Sequence, residues 1–349
     1  RPDVLSDFNY IEPQTLYSEQ AVQNTYASMG RLRALKYTNV RFEEVMHNDS
    51  AQLDAHVLMT KSKDKSLAFE VEGTNSAGDW GAAASMTFQH KNLFKGSETF
   101  TFKVRGAFEA ITGLEDGYET DDYKEYGIES SLNFPSFMFP FLSSDFKKKI
   151  RATSEVGIKF NSQLRPEFTR TLASASWSYR WTDKTRSQHR FDLLDINYIY
   201  VPWKSELFKA YLGNLTDRNS ILIKSYEDQL IVRMGYTFNY NSANASQTSS
   251  QRKSFYTLRF NMEESGNLLY GISKLIHRKP KGDKGYVIAN IPFAQYLKTD
   301  FDFAENLKID NRNSLVFHIG MGVVYPYGNS KAVPFEKRYF SGGPNSVRG

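Results

Sequence analysis

Apolar and polar residues alternate over most of this chain. In one segment the apolar positions are Phe100, Phe102, Val104 and Phe108. Between them fall the charged residues Lys103, Arg105 and Glu109, which an extended chain would carry on its opposite face. This period of two recurs in segment after segment, and it predicts β-strands with one apolar face and one polar face.

We predict eleven such strands, near residues 66–74, 81–91, 98–110, 124–134, 148–161, 168–181, 189–201, 228–241, 252–263, 290–303 and 312–326. Many are longer than the roughly 5 or 6 residues of a soluble strand and match the roughly 9 to 11 tilted residues that cross a bilayer. Aromatic residues gather at strand ends, as at Trp177, Tyr179 and Trp181. The pattern favours an antiparallel transmembrane β-barrel over a soluble sandwich, whose outward face should be polar.

The first sixty or so residues follow a different pattern. Helical spacing over residues 1–8 and 18–32 precedes two strands, near residues 36–44 and 52–60, joined by the turn-like sequence HNDS. Taken alone, this order of two helices followed by two strands indicates a generic α+β module. We therefore expect a boundary after residue 62, with residues 1–62 forming a small module and residues 63–349 forming a partial barrel.

The predicted connections differ in length between the two ends of the strands. Short ones, near residues 92–98, 182–188 and 303–311, fall at one end, whereas long ones, near 202–227, 264–289 and 327–349, fall at the other. Outer-membrane barrels have short periplasmic turns and long external loops. The apolar stretch 134–149 is a long turn on the short side, where it could lie against the membrane rim, and residues 267–276 are expected to form a helix in an external loop.

Composition narrows the function classes. The chain has no cysteine, which removes disulfides and thiolate metal sites, and its net charge of +5 is spread out, which argues against nucleic acid as a partner. Its mean hydropathy of -0.53 is compatible with a barrel, because lumenal polar residues offset the apolar ones. Six histidines lack metal-ligand spacing, so we expect neither metal nor cofactor. An enzyme is not expected; the strongest enzymatic rival, a lipid hydrolase, has only His318 in its favour.

The sequence resembles the BamA/TamA outer-membrane assembly superfamily at several places in the same order. The final stretch YFSGGPNSVRG is similar to the sixth external loop of that family, whose hallmark is a Val-Arg-Gly tripeptide after a glycine-rich run. The segments LYSEQAVQNTYASMGRL and KYTNVRFEE are similar to the last periplasmic POTRA module, and the stretch from FEVEGTNSAGDW to NLFKGSE is similar to the first barrel hairpin. TamA-like proteins of Bacteroidetes show the greatest similarity.

The resemblance implies how much of such a protein the chain contains. In the family eleven strands precede this loop and five follow it, so the chain is expected to be cut at both ends. The module would be the POTRA nearest the barrel without its first strand. It would lie in the periplasm, with the barrel in the outer membrane of a Gram-negative bacterium.

The resemblance also implies a loop-tether motif, formed by Gly342, Gly343, Val347, Arg348 and Gly349. The Arg348 guanidinium would reach into the lumen and pair with carboxylates and aromatic residues of strands beyond this sequence. Its role would be structural, fixing the barrel conformation that insertion requires. Because lysine lacks the planar fork of arginine, Arg348→Lys should not replace it.

The function implied is the non-catalytic insertion or assembly of outer-membrane proteins. An incoming strand would pair at a weak seam whose one side is the first barrel strand, made of Ser66, Leu67, Ala68, Phe69, Glu70, Val71, Glu72 and Gly73. The partners implied are unfolded outer-membrane protein clients, outer-membrane lipid or lipopolysaccharide, and an inner-membrane-anchored or periplasmic assembly partner. The alternatives left open are a two-partner-type secretion pore exporting a dedicated substrate and a passive porin.

Overall fold

The chain begins with two helices and a long hairpin: α1 (Pro2–Asp7), α2 (Glu19–Met29), β1 (Leu35–His47) and β2 (Ser50–Lys61). The side chain of Ser18 caps α2 by accepting a hydrogen bond from the amide of Ala21. Phe8, Met29 and Leu32 form a small buried core between the helices and the hairpin. The predicted order of helix, helix, strand, strand is confirmed, whereas the assignment of this unit to a POTRA module stays a prediction.

One antiparallel sheet of eleven strands forms the rest of the fold. Its strands are β3 (Lys65–Ser76), β4 (Asp79–His90), β5 (Thr99–Ala110), β6 (Asp122–Phe134), β7 (Thr153–Leu164), β8 (Phe168–Asp183), β9 (Ser187–Lys204), β10 (Gln229–Asn241), β11 (Phe255–Ser265), β14 (Tyr296–Lys308) and β15 (Ser314–Pro326). They follow one another in chain order, with β3 at one edge and β15 at the other.

The remaining elements lie in connections: α3 (Glu206–Gly213) follows β9, while α4 (Asn267–Leu275) and the two-residue strands β12 (Val287–Ile288) and β13 (Ile291–Pro292) lie between β11 and β14. The computed structural model describes residues 2–47, 50–76, 79–112, 118, 122–139, 141, 143, 146–147, 150–183, 186–214, 226–243, 254–277, 279–282, 285–310 and 312–339. Within these ranges, none of the helices has both the length and the apolar character required to cross a bilayer.

The predicted number of strands is correct, but two predicted strand starts are wrong. The fifth barrel strand begins at Thr153 rather than at residue 148, because Arg151 adopts a left-handed conformation with φ of 54°. The tenth begins at Tyr296 rather than at residue 290. There, Ala289 and Asn290 take φ values of 49° and 66° and form the turn of the small β12–β13 hairpin. In both places a locally apolar sequence forms a turn instead of extending the strand.

Exposure follows the predicted faces of the strands. In β4, Trp80 and Met86 are exposed while Ser85 is buried. The exposed apolar side chains of β5, β6 and β7 include Phe108, Tyr126, Ile128, Val156, Ile158 and Phe160. Phe100, Phe102 and Val104 are half-buried, as are Lys103, Arg105 and Glu109 on the opposite face of β5. The apolar side chains therefore line an outer face and do not form a closed interior.

Charged residues on the other face pair across the strands. The pairs along β3 to β8 are Lys103 with Glu70, Arg105 with Glu72, Lys159 with Glu129, and Arg180 with Glu155. At the end of the sheet nearest the long connections, this face is instead capped by a buried apolar cluster of Ile199, Ile231, Ala294 and Tyr296. We call this side of the sheet the polar face and the other side the apolar face.

The connections show the predicted asymmetry only in their longest members, since the short connection 165–167 lies at the same end as these and the longer connection 242–254 lies at the opposite end. At one end of the strands lie residues 91–98, 184–186 and 309–313, and at the other end lie the longest connections, residues 205–228 and 266–295. The predicted helix at residues 267–276 is α4. The apolar turn after β6 is on the short side, and its Phe137 and Phe139 rings pack against Tyr179 at centroid distances of 4.7 and 6.2 Å. Contact of this turn with the membrane rim stays a prediction.

The N-terminal unit contacts the sheet at the end with the short connections. The amide of Ala34 donates to the Ser97 hydroxyl over 2.9 Å, and the Arg31 guanidinium donates to the carbonyl of Arg151. The Arg151 guanidinium in turn lies 4.5 Å from the centre of the Tyr10 ring. This unit is therefore attached beside the turn that precedes β5 and beside the start of β7.

A matched pair of lysine substitutions in β7 tests which face lipid covers. Ile158 is 62 % exposed near the middle of β7 on the apolar face, whereas Asn161 lies on the polar face and donates to Glu125 over 2.6 Å. We expect Ile158→Lys to lower the free energy of unfolding in phospholipid vesicles by about 2–4 kcal/mol, because the ammonium would lie in hydrocarbon. Asn161→Lys, facing carboxylates, should change it by less than about 1 kcal/mol. Equal losses in urea unfolding would contradict the assignment of the faces.

Candidate functional site

The first barrel strand, predicted to be one side of a seam, is an edge strand in the structure. Ser66–Gly73 lie within β3, which pairs with β4 from Lys65 opposite His90 to Ser76 opposite Asp79. No strand among the described residues pairs with the other edge of β3. Val71 is 84 % exposed, and Leu67 and Phe69 are exposed on the same face. Within the described residues, the outer edge of β3 is therefore unpaired, as is the outer edge of β15 at the other side of the sheet.

The polar face of β3 is connected to the sheet by more than its backbone ladder. The hydroxyl of Ser85 on β4 donates to Glu70 over 3.0 Å. Lys103 and Arg105, both on β5, reach over the small residues of β4 to Glu70 and Glu72 at 3.8 and 3.3 Å. Exposed ion pairs contribute only about 0.2–1 kcal/mol each, but these act on the same side of the strand. They hold β3 to β4 and β5 and leave its outer edge as the side where pairing can change.

A segment after β15 folds back onto the polar face. Glu336 pairs with Arg170 on β8, Lys337 lies 3.1 Å from Glu263 on β11, and the Tyr339 hydroxyl donates to Asp300 on β14. We call residues 336–339 the inner segment. Because it contacts strands four places apart in the sheet, the sheet must curve around its polar face. The inner segment lies directly before the predicted tether motif.

Lys337 of the inner segment contacts a buried charge cluster. Arg233 on β10 donates to Asp195 and to Glu263, each over 2.7 Å, and lies 3.7 Å from Asp192. Glu263 is only 4 % exposed and also accepts a hydrogen bond from the buried Tyr296 hydroxyl at 3.0 Å. Such buried charges are tolerated only when they are paired and hydrogen-bonded, as they are here.

A β-bulge makes this cluster possible. Asp192 and Asp195 are three residues apart, so strict alternation would place them on opposite faces of β9. The pairing of β9 with both of its neighbours shifts between these two residues, which leaves Leu193 unpaired and returns both carboxylates to the polar face. Both can therefore approach Arg233.

Lys337 completes the charge balance of the cluster. The cluster contains three carboxylates, and three positive charges face them. Arg190 donates to Asp192 over 2.7 Å. Arg233 and Lys337 supply the other two charges, and the carboxylates are those of Asp192, Asp195 and Glu263. Burial lowers the pKa of Lys337, the nearby charge of Arg233 lowers it further, and Glu263 offsets this only in part. The inner segment is therefore held by an ion pair that carries a desolvation cost.

Glycine on β15 lets the inner segment approach closely. A Cβ atom at Gly322 would lie 2.5 Å from the Tyr339 ring, so any side chain there would displace the ring. The ammonium of Lys298 lies 4.2 Å from the centre of the same ring. Tyr339 is thus packed between β14 and β15 at the edge of the sheet opposite β3.

The sequence-predicted residues divide into two groups. Those of the first barrel strand lie together in β3, whereas Gly342, Gly343, Val347, Arg348 and Gly349 lie outside the described residues.

Sequence reasoning missed the charge cluster and the inner segment. The available signal was the run of acidic and basic residues at polar-face positions of β9, β10 and β11, but the bulge hid the register of Asp192. His318 lies 3.3 Å from Asp302 on the predicted face, and the described residues contain no cluster of three or more potential metal ligands.

Comparisons with known proteins agree on the architecture. A family model described as the Omp85 superfamily domain matches residues 92–349. The crystal structure of BamA from Haemophilus ducreyi lacking POTRA domains 1–3 is similar in fold, with a TM-score of 0.61 and 12% sequence identity over 100% of this chain. The chain spans 57% of the length of that structure. A search of curated proteins found no match. The predicted fold class, an antiparallel barrel of the transmembrane type, is confirmed.

A double-mutant cycle tests whether Lys337 and Glu263 hold the inner segment in place. We expect Lys337→Met to lower the free energy of unfolding by on the order of 3 kcal/mol, because it leaves the Glu263 carboxylate buried without its partner. The double variant Lys337→Met with Glu263→Gln should lose less than the sum of the two single variants.

The control is Lys331→Met, the same change at an exposed lysine six residues earlier, which should alter stability by less than about 0.5 kcal/mol. Unfolding is followed by urea titration in vesicles. Additive losses, or a Lys337→Met effect no larger than that of Lys331→Met, would show that the inner segment is not held by this pair.

Proposed function

Because the chain belongs to the Omp85 superfamily, we propose that it inserts or assembles client proteins in the outer membrane of a Gram-negative bacterium by offering β3 as a pairing edge. The family acts at the outer membrane without catalysing a chemical reaction. The finer step, in which β3 templates a client strand, is our hypothesis. The observation that carries it is the exposed outer edge of β3.

The physical need for such an edge follows from the solvent. Every unpaired backbone N–H or C=O group in hydrocarbon costs several kcal/mol, so a strand cannot enter the bilayer with its hydrogen bonds unmade. An edge already at membrane depth supplies partners as the client enters. Main-chain pairing accepts many sequences, which suits a factor with several clients.

The contacts of β3 support a seam that opens on one side only. Glu70 and Glu72 attach the strand to β4 and β5, so the β3–β4 ladder should persist while a client pairs with the outer edge. The exposed Leu67, Phe69 and Val71 would face lipid next to the incoming strand. Fraying of the whole strand, the alternative explanation for a weak edge, would require these polar-face contacts to break as well.

The inner segment supports a fixed barrel interior during this process. Its contacts with Arg170, Glu263 and Asp300 hold the chain against β8, β11 and β14 immediately before the predicted tether. In this proposal Arg348 adds a second attachment beyond the described residues. The N-terminal unit would act as the last POTRA module and face a periplasmic or inner-membrane-anchored partner.

Site-specific photo-crosslinking tests the pairing edge. A photoreactive amino acid replaces Val71 on β3 or, as a control of similar exposure, Ile158 on β7 in the full-length protein in growing cells. We expect Val71 to capture newly made outer-membrane barrel proteins and Ile158 to capture none, because β7 is paired with β6 and β8 on its two sides, whereas the outer edge of β3 has no partner among the described strands.

The identity of the adduct separates the two candidate functions. Barrel proteins captured at Val71 support assembly, whereas a single soluble exported protein would replace our proposal with secretion of a dedicated substrate. Equal capture at the two positions, or no capture at Val71 while barrel proteins still require the chain for assembly, would exclude β3 as the pairing edge.

A further inference from the structure

Helix α4, between β11 and β14, carries an apolar stripe that no part of the described chain covers. Leu268, Ile272, Leu275 and Ile276 are all exposed, Leu275 to 78 %. Their spacing of four, three and one residues places them along one side of the helix. Neighbouring exposed apolar residues of this kind usually mark a contact surface for lipid or protein.

The opposite side of α4 packs on the loops that follow it. Ser273 is buried, and the Tyr270 ring contacts the Tyr286 ring at 5.4 Å. The side-chain oxygen of Asn267 accepts hydrogen bonds from Gln295 over 2.8 Å and from Tyr327 over 3.0 Å. The contacted side of α4 therefore faces the loops near the end of the polar face, and the apolar stripe faces away from them.

The apolar stripe begins close to the end of the strands' outer face. Helix α4 begins two residues after β11 ends, so it lies at the end of the strands with the long connections. Near this end of the strands, Met262 on β11 and Leu297 on β14 are exposed apolar side chains of the apolar face. Leu297 follows Tyr296, whose side chain points to the polar face and bonds Glu263, so Leu297 points outward.

Basic residues follow the stripe immediately. Between residues 274 and 284 the chain has Lys274, Arg278, Lys279, Lys281 and Lys284 against the single acidic residue Asp283. The five basic residues and one acidic residue give this run a formal charge of +4; Arg278, Asp283 and Lys284 lie outside the described residues. Lys279 is exposed, the ammonium of the exposed Lys274 lies 4.8 Å from the centre of the Tyr270 ring, and Lys281 donates to Asn290 over 2.7 Å. An amphipathic helix next to a basic run is the arrangement that binds anionic membrane surfaces.

We propose that α4 lies in the outer leaflet of the membrane, with its apolar stripe among the acyl chains and its basic run bound to lipid phosphate groups. The position of α4 directly after the lipid-facing strand β11 supplies the location, and charge complementarity supplies the choice of an anionic lipid over a protein partner. This surface rests on the proposed membrane location and not on β3 pairing with clients. Its role is to attach the loop between β11 and β14 to the bilayer surface.

Residues 1–349 contain no cysteine, so a single cysteine can be introduced among them for a direct test, once any cysteine elsewhere in the full-length protein has been replaced. Leu275 is replaced by a single cysteine that carries a fluorophore, and the full-length protein is inserted in phosphatidylcholine vesicles with or without lipid A. Both kinds of vesicle contain a lipid that bears a quencher near its headgroup. Two control positions are Ile158→Cys, in the lipid-facing wall, and Leu16→Cys, 94 % exposed in the N-terminal unit. We expect quenching at Leu275 at least twofold above that at Leu16, and increased again by lipid A.

Charge variants test the phosphate contact. Lys279→Gln with Lys284→Gln should remove the increase caused by lipid A, whereas the matched pair Lys63→Gln with Lys65→Gln, at the opposite end of the strands, should leave it. Quenching at Ile158 but not at Leu275 would overturn the proposal while leaving the membrane location intact. Quenching at Leu275 that lipid A does not change would also overturn it, because the basic run would then have no lipid phosphate to bind. Failure at Ile158 would instead refute the membrane location itself.

Discussion

Each strand must face lipid on one side and the polar interior on the other, and this structure depends on that constraint. A strand in a bilayer must have its backbone hydrogen bonds made by its neighbours, and its side chains then point alternately to lipid and to the interior. Exposed Ile158 and Phe160 against the ion pair of Lys159 with Glu129 show this division within three consecutive residues of β7. The roles of both the charge cluster and the edge strand depend on this division.

Ion pairs hold the inner segment in the interior, and at the edge of the sheet they hold only one side of β3. Inside, Arg190, Arg233 and Lys337 balance three carboxylates and Lys337 holds the inner segment against the wall, so the polar face is fixed by paired charges. At β3, Glu70 and Glu72 fix one side of the strand and leave the other side without a partner among the described strands. In the proposed function, these contacts would keep β3 in the sheet while its outer edge pairs with a client strand.

The sequence predicts the strands and their faces well because alternation is a local property. Their ends were less predictable, since the turns at Arg151 and at Ala289 and Asn290 depend on left-handed backbone conformations in residues other than glycine. The charge cluster could not be predicted from alternation at all. It depends on a bulge at Leu193 and on contacts between Lys337 and Glu263, which are 74 residues apart. The tether motif was found only through resemblance to a family.

A cysteine scan of β7 is the most direct test of the two-solvent account. Each residue from Ser154 to Gln163 is replaced in turn by cysteine in the full-length protein in lipid vesicles, and reaction with a water-soluble maleimide is compared with quenching by lipid-borne quenchers. The account predicts a strict period of two, with Val156, Ile158 and Phe160 quenched by lipid and Glu155, Lys159 and Asn161 labelled from water. Labelling of Val156, Ile158 and Phe160 from water, or a profile without alternation, would contradict it.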